Sequence, residues 1–157
     1  MHRKAQTATE YLIILAVVII IALIVVGVMG GIPGIGRGAG SRASAAYWKT
    51  ADIAISSYSV DATDNLVMNI RNNLPTTITL STVTFTSASG TDTSSPGNTY
   101  TPGQTRELTA TLTNSDPCTA AGDSFSLDVI FSYTDQATNE VYTFSGEGNK
   151  LEGTCAT

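Results

Sequence analysis

Cys118 and Cys155 are the only thiols in the chain, His2 is the only imidazole, and Glu10 is the one carboxylate beside a long apolar run. Two cysteines without further Cys or His nearby cannot complete a tetrahedral zinc site, so no metal is expected. They read either as a disulfide, natural for an exported domain, or as two free thiols. A bridge would staple the C-terminal tail to the loop ahead of residue 125 and stabilise the domain by about 3–4 kcal/mol through loop closure. Ser and Thr are plentiful but have no recognisable activating partner. No catalytic residue, cofactor site or enzymatic activity is expected. Asp61, Asp64, Asp92, Asp135 and Glu140 read mostly as turn residues, without EF-hand spacing.

The unusual chemistry lies at the start of the chain. Arg3 and Lys4 precede Ala5-Gln6-Thr7-Ala8-Thr9-Glu10-Tyr11, after which residues 11–36 carry no charge. A secretory signal has a shorter apolar core of roughly 7–15 residues. The Ala43-Ser44-Ala45 site also lies far beyond the apolar run, past Arg37 and Arg42. A plain membrane anchor fits by length, since about 20 apolar residues span the hydrocarbon. Its orientation is undecided, because Arg3 and Lys4 are balanced by Arg37, Arg42 and Lys49.

A short basic leader, a small residue at Ala5, then Gln6, Glu10 and Tyr11 ahead of an aliphatic helix resembles the class III signal peptide of archaeal type IV pilins. The resemblance covers roughly residues 1–32, and its Gln-to-Glu pattern favours an adhesion-type pilus over a motility filament. It implies cleavage between Ala5 and Gln6 by a prepilin peptidase, with the apolar run kept in the mature chain. His2 would leave with the leader. The implied protein is a structural subunit that assembles into a helical homopolymer, handled by the pilus assembly machinery. It would sit in the cytoplasmic membrane before assembly and in a cell-surface filament afterwards. A membrane-tethered extracytoplasmic binding module, or a minor pilin, is the alternative.

Glu10 is expensive in apolar surroundings unless it is paired. Cleavage before Gln6 would create an α-ammonium one helical turn away, on the same chain or, as the resemblance suggests, on a neighbour. Glu10 and Tyr11 are therefore the assembly candidates. Alternatively Glu10 reaches to the headgroup level. A helix over residues 6–29 would be about 36 Å long. Its Ile and Val content suits burial, because a helix apolar on all faces needs lipid or protein around it.

The cluster Gly27, Gly30, Gly31, Pro33, Gly34, Gly36, Gly38 and Gly40 allows either close helix approach or a flexible neck. No glycine-rich phosphate loop follows a predicted strand. Residues 43–49 can continue as helix, with Trp48 either at the junction with the following domain or at a membrane interface.

Beyond residue 50 the sequence is rich in Ser and Thr, and the chain carries a diffuse net charge of −5, which excludes a nucleic-acid footprint. Alternation predicts strands over 53–60, 66–71, 77–86 with a bulge between Leu80 and Val83, 108–112, 125–133 and 141–144. Turns fall at 61–65, 72–75 and 135–139, and 87–103 reads as a long surface loop with room for one short edge strand. No Asn-x-Ser/Thr sequon occurs, which leaves O-linked sugar open.

The expected fold is therefore α+β: a long N-terminal hydrophobic α-helix followed by an immunoglobulin-like antiparallel β-sandwich. Its divisions are a leader at 1–5, a helix and Gly-rich neck at 6–50, and an extracellular sandwich at 51–157.

Overall fold

The computed structural model describes the backbone of residues 3–30 and 35–157, and the side chains of residues 10–22, 24 and 39–157. The chain divides into two compact units, Met1–Gly36 and Arg37–Thr157.

The first unit contains helix α1, Arg3–Gly30, of 28 residues. Helix α2, Ile35–Thr50, has 16 residues and lies almost wholly in the second unit. The expectation of one long hydrophobic helix ahead of an immunoglobulin-like sandwich is corrected here. The described structure is dominated by strands, and its helical residues are split between two elements. Among the described residues no helix is long and apolar enough to cross a membrane. The second helical element is not hydrophobic, since α2 carries Arg37, Arg42 and Lys49 and buries only one stripe. The neck residues Gly31, Pro33 and Gly34 lie outside the described residues. A sandwich of sheets is compatible with the remainder.

The second unit carries nine strands: β1 Ile53–Val60, β2 Asn65–Asn72, β3 Ile78–Thr86, β4 Thr91–Ser94, β5 Asn98–Tyr100, β6 Thr105–Thr111, β7 Ser124–Asp135, β8 Val141–Phe144 and β9 Leu151–Thr154. One sheet has the order β1-β2-β6, and the other runs β4-β3-β7-β8, with β5 on β3 and β9 on β7. Every strand pairing is antiparallel.

Registers show why nine strands fill only seven positions. β5 pairs with residues 78–80 of β3 and β4 with residues 83–86, so the two lie end to end along one edge. β8 and β9 do the same along β7, at residues 131–134 and 124–127.

Period-two alternation places Leu66, Met68 and Ile70 of β2 against Val83 and Phe85 of β3 and Leu127, Val129 and Phe131 of β7 in one buried core. Strand β3 keeps its apolar side inward because its register with β7 shifts between Leu80 and Thr82. One extra residue there reverses the pleat phase, so Leu80 and Val83 are both buried. Asn72 is fully buried but satisfied. Its amide donates to the carbonyls of Thr76 (2.8 Å) and Tyr100 (3.0 Å), and its oxygen accepts from the Leu74 N–H (2.9 Å).

Candidate functional site

The residues singled out for processing and assembly lie on α1. Ala5 and Gln6 fall within its first turns, and their side chains are outside the described set. Glu10 is exposed, and Tyr11 is 67% exposed. The apolar side chains that follow are open as well, as far as Ile24 at 59%. Leu, Ile and Val occupy consecutive positions, so no polar face exists to meet water.

Cys118 and Cys155 are joined by a disulfide across 37 residues of chain. Around it the C-terminal tail closes a seam between the sheets. The Cys155 N–H donates to the Asp123 carbonyl (2.7 Å), and the Ala156 N–H donates to the carbonyl of Val60 at the end of β1 (2.8 Å). Asp61 and Ala156 form an isolated parallel bridge at this point. The Asp61 carboxylate also organises the β1–β2 turn, accepting from the hydroxyl and N–H of Thr63 (2.7 and 2.8 Å) and the N–H of Asn65 (3.0 Å). Those bonds, the Thr63 hydroxyl first, hold its pKa down to about 2. Asp64, at φ 59°, moves the other way: burial raises its carboxyl against a bond from the Cys118 N–H, and Asp116 adds repulsion.

Sequence reasoning left open how the second helix meets the sheets, and three residues decide it. Ser44, Trp48 and Ala51 recur at helical spacing and form the buried stripe of α2 and the residue just after it. Trp48 is fully buried, edge-on to Phe131 (6.2 Å between centroids) and Phe144 (6.1 Å). Its indole N–H donates to the Lys150 carbonyl at 3.2 Å. The Ser44 hydroxyl donates to the same carbonyl (2.8 Å) and accepts from the Glu152 N–H (3.1 Å). One side chain thereby supplies the donor and acceptor that a neighbouring strand would offer to the free edge of β9.

Gly146 permits this close approach. It adopts φ 65°, and a Cβ there would stand 2.5 Å from two carbons of the Trp48 ring. Gly146, Glu147 and Gly148 are three successive residues with positive φ. A Gly-x-Gly triplet is the only sequence trace of this turn, and nothing local links it to a Trp about 100 residues earlier.

Two clefts flank α2. One, of about 390 Å³, is lined by hydroxyls of β1 and β9, including Ser57, Tyr58, Ser59 and Thr154, with Lys49 and Glu152. Burial raises the Tyr58 hydroxyl's pKa; that hydroxyl already donates to the Glu152 carbonyl at 2.6 Å. The other, of about 180 Å³, is lined by Tyr47, Thr50, Ala51, Asp52, Phe144 and Glu147. Among the described residues no group of three or more His, Cys, Asp or Glu is placed to hold a metal ion.

No protein-family model matches the chain, and no curated protein matches it as a relative. The site must therefore be read from its own residues.

Proposed function

We propose that this chain is a structural subunit of an archaeal type IV adhesion pilus, freed by prepilin-peptidase cleavage between Ala5 and Gln6 and polymerising through the apolar part of α1. The observation that carries this reading is the exposure of every large apolar side chain described on α1. About half of each is open to solvent, and burying a whole side chain of this kind stabilises by about 1.5–3 kcal/mol. Covering the stretch is thus worth on the order of 10 kcal/mol, comparable to the whole stability of a domain. Membrane lipid supplies that cover before assembly, and the same segment of other copies supplies it afterwards.

The second unit suits an exposed coat. It has its own core, a disulfide and a sealed C-terminal seam. Its partners are other copies, the prepilin peptidase and assembly machinery, and the membrane before assembly, with no role for nucleic acid. Cleavage at the start of α1 requires only the first turns to unwind, where backbone donors lack helical partners in any case. Glu10, one turn beyond the new N-terminus, then fixes register by pairing with an α-ammonium.

Glu10→Ala tests the reading. The variant is expected to be cleaved normally but to give few filaments, and a wild-type filament yield would contradict the assembly role. The hydroxyl-lined cleft between β1 and β9 favours a second reading, a tethered extracytoplasmic binding module, which predicts a detergent-soluble monomer and no filament.

A further inference from the structure

We propose that the cleft formed by Tyr47, Asp52, Phe144 and Glu147 receives the Lys49 side chain from the α2 helix of a second copy, and so joins neighbouring coat units directly. The contact rests on the filament reading above and specifies how its outer layer is held.

The cleft has the chemistry of a cation site. Two aromatic walls, Tyr47 and Phe144, stand with two carboxylates around about 180 Å³, room for an ammonium or guanidinium head and part of its stem. No cation lines it. The only ion pair among the described residues is Lys150 to Asp128, at 2.9 Å. Both carboxylates act on the same phenol. After burial, Glu147 and then Asp52 raise the pKa of Tyr47, whose hydroxyl lies 3.5 Å from a Glu147 oxygen. Negative potential therefore converges on the cleft without a compensating charge from its own lining.

The backbone sets where this carboxylate stands. Glu147 holds φ 50°, ψ 35°, between two glycines that also have positive φ. For a residue with a Cβ the left-handed region is disfavoured, and a glycine would occupy it freely. In that conformation the Glu147 carboxylate stands beside Tyr47, 3.5 Å from its hydroxyl.

The complementary surface lies on the same helix. Ser44 and Trp48 face the sheets, while Arg42, Ala46 and Lys49 recur at i, i+4 and i+7 on an exposed face. Arg42 and Lys49 make no ion pair among the described residues. An acidic cleft on one surface and a basic stripe on another describe a heterologous contact. Such a contact repeats without closing when its rotation does not return to the start, as in a filament. Rim charges of this kind set register and partner choice more than raw affinity.

Zero-length carbodiimide coupling on purified filaments of the full chain tests the contact. It joins a carboxylate to a lysine that touches it, and the internal Lys150–Asp128 pair is a built-in positive control. The expected result is a ladder of multimers on a denaturing gel, with a peptide linking Lys49 to Glu147 or Asp52. Glu147→Lys, which keeps the side chain long and the backbone demand the same, is expected to lose the ladder, and Glu147→Lys with Lys49→Glu to regain it. Formation of the control link without a link between copies overturns the contact and leaves the filament reading intact, as does a wild-type ladder from Glu147→Lys. Absence of any filament containing this chain, seen before cross-linker is added, overturns both.

Discussion

The ring of Trp48 rests so closely on the α-carbon of Gly146 that a methyl group there would stand 2.5 Å from two ring carbons. The contact joins α2 to the turn before β9 and sets the position of Tyr47 and Glu147 beside it. Gly146→Ala combines a left-handed backbone with a clash against an immobile ring, and is expected to lower stability by about 2–4 kcal/mol. Gly148→Ala has φ 83° but open space around its Cβ, and should lower stability by only about 1–2 kcal/mol. Urea unfolding of the two variants followed by Trp48 fluorescence separates clash from strain. Equal losses would show that the ring moves aside freely.

Ser44→Ala removes both bonds that this side chain makes to the edge of β9 and leaves the Lys150 carbonyl to the Trp48 indole. The expected loss is about 1–3 kcal/mol, since the Glu152 N–H is left without that acceptor. Hydrogen exchange at Glu152 should quicken more than exchange at Leu127 in the adjacent strand. Unchanged protection at Glu152 would mean that α2 does not guard this edge.

Replacing Cys118 and Cys155 by Ser opens a loop of 37 residues. The expected cost is about 3–4 kcal/mol from the unfolded state alone. Because the bridge holds Cys155 next to the Val60–Ala156 bond, the amide of Ala156 should lose protection first. Uniform loss across all strands would show that the disulfide acts only on the unfolded chain.

Asp61, Asp92 and Asp135 all have lowered pKa values in the folded chain. For Asp61 and Asp135 the leading cause is a Thr hydroxyl, from Thr63 and Thr76. For Asp92, burial pushes upward but is outweighed by bonds from Ser115 and Asn114. A depressed carboxyl binds fewer protons folded than unfolded, so its stabilisation is complete above the unfolded value of about 3.9 and declines as pH falls below it. For Asp61 the decline continues to about pH 2. Asp64, with a raised pKa, has the opposite sign. The second unit should therefore lose stability on acidification between about pH 4 and 2, and Asp61→Asn should flatten that dependence. A wild-type slope in Asp61→Asn would remove the turn from the account.

Much of the strand layout was legible because alternation is a local signal: Phe125, Leu127, Val129 and Phe131 all turn inward from β7. The expected phase change in β3 was legible for the same reason. β9 was not, since Leu-Glu-Gly-Thr alternates too briefly and Gly153 is set by close approach to Phe125. The loop expected over 87–103 contains two short strands, held mainly by partners on β3 and by Thr pairs such as Thr84 with Thr93. Gly36, Gly38 and Gly40 left helix and flexible neck both open; α2 includes them, because packing of Ser44 and Trp48 outweighs weak local propensity. The two cysteines announced a possible bridge. The acidic aromatic cleft had no such signature, since Tyr47 and Glu147 meet only through tertiary packing.

The central claim is most directly tested by the N-terminal residue of this chain in filaments sheared from the cell surface and purified. Cleavage between Ala5 and Gln6 predicts that sequencing starts at Gln6, with the chain as the main component of the filament. A chain retaining residues 1–5 in those filaments, or cleaved Gln6 chains found only as detergent-soluble monomers, would contradict it.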